Sequence, residues 1–190
     1  MEIFFIGLSF LGILLFERYG LKTELPWMGK LCFLCGQIIT IRSLPQESMT
    51  EGMVLLIYIY CLFWQDLKTY YISKKWIVPS LFLILYLGFP QNWLSSVSGA
   101  LLYGLPSFAM HRFKPEWIGL ADVVYFFYFG ALLGLERMIV ACLIAIGIGF
   151  FWMLGMKKTI LPFCSCLSIG VWIAYLKGYT ILISFADLLG

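Results

Sequence analysis

The sequence predicts an all-α fold, a polytopic transmembrane bundle of about seven helices. Three observations predict it. Hydrophobic residues make up 62% of the chain and charged residues only 12%, whereas a soluble domain carries about 25% charged residues. The apolar residues come in blocks close to membrane-crossing length, about 20 residues or fewer where tilt allows. The charges fall between the blocks as short punctuation. A formal charge of +3, dispersed in this way, does not indicate a nucleic-acid surface. The length of 190 residues leaves no room for a second folded domain beside such a bundle.

The first block, MEIFFIGLSFLGILLF, has neither the basic leading region nor the small-residue cleavage site of a signal peptide, so it reads as a retained helix near residues 2–17. A cysteine-bearing stretch follows. Further helices are expected near 51–66, 76–90, 93–110, 117–135, 137–155 and 159–176. The tail GYTILISFADLLG is too short to span and reads as an interfacial segment or the end of the seventh helix. Residues 1–50 then form a first helix with a cysteine module, and residues 51–190 the membrane core. Cys61 and Cys142 lie inside apolar blocks, where thiols behave as small hydrophobes, so a disulfide framework is not expected.

Charge sets the expected orientation. Lys68, Lys74 and Lys75 follow the second of these helices, Arg112 and Lys114 precede the fifth, and Lys157 and Lys158 precede the seventh. These three connections share one side, and the opposite side offers only Arg137 and Lys177. The positive-inside rule places the lysine-rich side in the cytoplasm of a multi-pass membrane protein. Asp66 ends the second helix there and Asp122 begins the fifth, so topology brings two distant acids to one membrane face.

The chain has only three aspartates, and an ionised one near the bilayer centre costs about 2.5 to 3.5 kcal/mol. Asp66, followed by KTYYISKK, can be read as an interfacial charge at a helix end. Asp122 sits in EWIGLADVVYFF with apolar neighbours on both sides, where a purely structural acid would need a buried partner. Two carboxylates sharing a water cannot both ionise freely. At about 4 Å and an effective dielectric of about 20 their repulsion is roughly 4 kcal/mol, which separates the two protonation steps by roughly 3 pH units. The ionised member can then take a proton from water while the protonated member polarises a scissile carbonyl.

Other chemistries are poorly supplied. The single histidine, His111, lies in a basic turn with no orienting acid nearby, which leaves a nucleophile-histidine machine unsupported and rules out a histidine-rich metal site. A proton relay in a small transporter would place acids at several depths, whereas Asp66 and Asp122 share one.

The run Gly119 to Asp122, GLAD, followed by Val123, resembles the GxGD motif of the bacterial type IV prepilin peptidases. In QDLKTYYISKKWIVP, Asp66 with Leu67, Ile72 and Pro79 is similar to the first catalytic stretch of that family. Pro162, Phe163, Leu167 and Gly170 of LPFCSCLSIG resemble its PFGPFLALG segment. Cys32, Cys35, Gly36, Ile39, Arg42 and Glu47 resemble the second half of its cytoplasmic cysteine module. Four matches in order over most of the chain are more specific than any one.

The resemblance implies a GxGD-type membrane aspartic endopeptidase in which Asp66 and Asp122 are catalytic and Gly119, Ala121, Pro162 and Phe163 are motif support. It implies prepilin or pseudopilin substrates, with a basic leader before a hydrophobic helix, cut at the cytoplasmic face of the bacterial cell membrane for pilus, secretion or competence assembly. Three departures stand out. Ala121 replaces the second glycine, adding a methyl where the motif has none. Val124 stands where many members have lysine. Cys32 and Cys35 form one CxxC pair where bifunctional members have two, and one pair supplies half of the four ligands of a structural zinc site. Zinc is therefore weakly supported, methyltransferase activity is uncertain, and proteolysis by two acids requires no cofactor. A catalytically silent protein that binds or escorts pilin-like helices is the rival reading. Parity also conflicts: the family has two passages between the cysteine module and the first aspartate, and the residues between Glu47 and Asp66 hold only one. A membrane dip by LCFLCGQIITI would restore it.

Overall fold

The computed structural model describes residues 2–18, 26–88, 92–156 and 161–189. Among them the protein is all-α, with α1 (Glu2–Phe16), α2 (Trp27–Ser43), α3 (Met49–Thr69), α4 (Ile77–Leu83), α5 (Trp93–Phe113), α6 (Leu120–Met156) and α7 (Phe163–Leu189). Two of these, over Leu120–Gly155 and Phe163–Leu188, are long and apolar enough to cross a membrane. On the second part of α6, Leu143, Ile146, Phe150 and Leu154 point outward at helical spacing, an apolar stripe with no protein cover.

The stretch expected to dip into the membrane is a full helix. α2 runs antiparallel to α3, held close by small residues: Gly29 lies against Trp64, Gly36 against Leu56, and Gly52 against Leu44 and Thr40. The Trp172 indole N–H of α7 donates to Thr40 Oγ1 at 3.1 Å and ties the pair to the rest of the bundle. The start of α2 therefore lies at the Asp66 end of α3. Two helices, α2 and α3, lie between Pro26 and the end of α3.

α3 ends where Tyr70 adopts the left-handed conformation (φ 51°) and returns its N–H to Asp66 O at 2.8 Å. Ser73 then caps a short 3-10 turn, Lys74–Trp76, leading into α4, which continues as a π-turn over Ile84–Gly88. Side chains pin this segment back onto α3, through Trp76 with Gln65 and Ser80 with Tyr58.

α6 is one run only in name. Gly134 within it has φ 74° and ψ −177°, a conformation that is essentially glycine-only. The first part packs antiparallel to α5, with Gly99 against Gly130 and Gly134 and Gly104 against Phe127. The second part packs antiparallel to α7, with Gly170 against Ala141 and Gly178 against Arg137. A straight helix would carry Gly149 about 40 Å from Asp122, yet Gly149 meets Leu161, four residues before a side chain that touches Asp66. The chain turns back at Gly134. Ser95 Oγ accepts the Leu135 N–H at 3.3 Å, and the Tyr103 hydroxyl donates to Leu135 O at 3.0 Å, so the interrupted backbone stays satisfied. This corresponds to the two helices expected over 117–135 and 137–155. The last helix starts at Phe163 rather than near 159, because Pro162 favours a helix start, and it runs through the tail. Lys157 and Lys158 lie outside the described residues.

Candidate active site

The Asp66 end of the bundle gathers the C-terminus of α3 and the N-termini of α6 and α7. Asp66 sits in the last turn of its helix, where the aligned peptide dipoles disfavour an anion. A different helix compensates. The backbone N–H of Ser165, in the first turn of α7, donates to Asp66 Oδ2 at 2.7 Å, and the Ser165 hydroxyl reaches the same oxygen at 2.8 Å. Asp66 is only 7% exposed and Ser165 2%, so these donors stand in for water.

Asp122 is placed by its own helix. Gly119 caps α6: its carbonyl accepts the Val123 N–H at 3.2 Å, and the place a side chain would take on it lies against the Asp122 carboxylate. Asp122 is the third residue of the helix and lies back beside the cap residue. The turn is tight. A side-chain carbon on Gly119 would stand 3.3 Å from Asp122 Oδ2. Ala121 is half-buried and packs its methyl against the core. Before the cap, His111 at the end of α5 binds Ile118 O through Nδ1 at 2.7 Å, pinning the α5–α6 turn.

Asp66 and Asp122 lie at the same end of the bundle: Ser165 binds Asp66, and Phe163, two residues before it, packs on Phe126, one turn after Asp122. Cys164, beside Ser165 in the first turn of α7, is fully buried in the core. Phe163 stacks on Phe126, one helical turn after Asp122, with ring centroids 5.6 Å apart and planes at 29°. Pro162 and Phe163 thus set the start of α7 against the start of α6.

Cys32 and Cys35 are not part of this cluster. Both thiols are exposed on α2, and among the described residues no group of three or more histidine, cysteine or acidic side chains converges to hold a metal. Two thiols on one helix do not fit a four-ligand zinc site. Cys164 and Cys166 are buried in α7.

Sequence reasoning missed Ser165. It stands where the resembled segment has proline, and nothing local marks it, because its partner is 99 residues away. The available signal was a hydroxyl in the first turn of a helix facing an acid that ends another.

A family model, the type IV leader peptidase family, matches residues 53–154. The match contains Asp66, Gly119, Ala121 and Asp122, and excludes Cys32, Cys35, Pro162, Phe163 and Ser165. No curated protein and no solved structure matches the chain.

Proposed function

This chain belongs to the type IV leader peptidase family, and from that premise we propose that it is a membrane aspartic endopeptidase in which Asp66 and Asp122 cut prepilin-like leaders. One observation carries the proposal. A buried and a half-buried carboxylate from distant helices lie at one end of an apolar bundle, Asp66 held by two donors of Ser165 at the start of α7 and Asp122 set against the Gly119 cap of α6.

The mechanism follows from sharing one proton. With a water between the carboxylates, the ionised member withdraws a proton from it while the protonated member polarises the scissile carbonyl. Attack then forms a tetrahedral diol, and return of a proton to the amine releases the two peptides. The acids and a water suffice for this sequence, so no metal is assigned to it. The substrate is a prepilin or pseudopilin whose basic leader precedes a hydrophobic helix. In a multi-pass arrangement in the bacterial cell membrane, the lysine-rich end holding the acids faces the cytoplasm. The start of α2 at Trp27 then lies on the same side, because α2 runs antiparallel to α3.

Co-expression with a candidate prepilin, with leader loss followed by gel shift and mass spectrometry, tests the reading. Asp66→Asn and Asp122→Asn should each leave a folded protein with cleavage reduced at least about a hundredfold, the weight of a lost general acid or base. Undiminished cutting by either variant refutes the dyad. Tight substrate binding without cutting by the wild type would transfer support to an escort protein.

A further inference from the structure

The Ser165 hydroxyl has one hydrogen and two acceptors in reach. Its Oγ lies 2.8 Å from Asp66 Oδ2 and 3.0 Å from the Phe63 carbonyl oxygen, while the backbone N–H of the same residue stays on Asp66 at 2.7 Å. A hydroxyl donates one bond and accepts up to two, and it rotates to suit its neighbours. It cannot serve both oxygens as a donor at once.

The two settings match the two states of a working acid. When Asp66 is ionised, the hydroxyl donates to Oδ2. When Asp66 carries a proton there, that O–H donates to Oγ, and the serine hydrogen turns to the Phe63 carbonyl, which has a lone pair to spare. Either setting leaves no donor idle, in a place where Ser165 is only 2% exposed and water is not the alternative.

We propose that Ser165 is a positioning residue whose hydroxyl swings between Phe63 and Asp66, holding the carboxylate in one orientation with and without its proton. The inference rests on the proposed dyad and adds a third member to it. The rotor moves no proton between residues; it keeps Asp66 aimed while water and substrate exchange protons with it. Titratable groups within electrostatic reach of Asp66 include Asp122 on α6 and the thiols of Cys164 and Cys166 on α7.

Steady-state cleavage of a prepilin by purified wild type, Ser165→Ala and Ser165→Thr tests this. Ser165→Ala keeps the backbone donor and removes the rotor. It should lower kcat about tenfold, the weight of one hydrogen bond to a charged group, leave KM within about a factor of two, and displace the pH profile of kcat/KM. Ser165→Thr keeps the hydroxyl and should recover most of kcat and the original profile. A purely structural serine would lower thermal stability in both variants and leave the profile in place, and that result overturns the inference. So does wild-type kcat in Ser165→Ala, or a rise in KM alone. A wild type that does not cut defeats the functional reading and this inference with it. A wild type that cuts, with Asp66→Asn inactive and Ser165→Ala unimpaired, defeats this inference alone.

Discussion

Gly119 faces the carboxylate of Asp122, three residues further along the same helix start, with no side chain between them. Glycine and aspartate of the GLAD run are therefore one turn of structure: the glycine caps the helix, and the aspartate lies against the cap.

The absence of a side chain at Gly119 is the sensitive part of that turn. A carbon placed there would lie 3.3 Å from Asp122 Oδ2, so Gly119→Val should displace the carboxylate and lower cleavage by at least about tenfold, consistent with small misplacements in an active site. Ala121→Gly should do the opposite. It removes a half-buried methyl, costs about 0.5–1 kcal/mol of helix stability, and is expected to preserve or raise activity. Cleavage assays beside thermal unfolding in detergent separate the two effects. Loss of activity in Ala121→Gly would show that the site is built around the methyl.

A shared proton implies a bell-shaped dependence of kcat/KM on pH. Below the lower step both carboxylates are protonated and no base remains to activate water. Above the upper step both are ionised and no acid remains for the carbonyl. Activity should fall on both sides, with the two steps belonging to the pair rather than to either residue. A single monotonic limb across the acid range would contradict two coupled acids.

The turn at Gly134 should tolerate little. Its φ of 74° is costly for any other residue, and a side-chain carbon there would meet Ser95 Oγ at 2.4 Å. Gly134→Ala should destabilise the protein by about 1–3 kcal/mol, read as a lower unfolding temperature in detergent. An unchanged temperature would mean that α5 and α6 are joined less tightly than their packing indicates.

Cys32 and Cys35 provide a test of metal dependence. A Cys32→Ser/Cys35→Ser double variant, and wild type treated with a chelator, should each cut prepilin at the untreated rate. A large loss in both would assign the exposed thiol pair a metal that proteolysis needs.

The architecture was legible wherever the signal was local. Apolar blocks of about membrane length, lysines between them and two acids at block ends marked the all-α fold and the end of the bundle where both acids lie, because burial in lipid or protein selects residue type position by position. The charged pair Glu136–Arg137 even marked the neighbourhood of the turn, two residues beyond the glycine that makes it. α2 was less visible: its stretch mixes Lys30, Gln37, Thr40 and Arg42 with apolar residues, and only the close approach of Gly29, Gly36 and Gly52 to its neighbours shows how it packs on α3. The sequence by itself determined which residues could do acid chemistry and that they belong to helix ends. Tertiary structure alone decided that Asp66 is held by Ser165 of another helix, because a hydrogen bond spanning 99 residues depends on how α3 and α7 pack and leaves no periodicity in the chain.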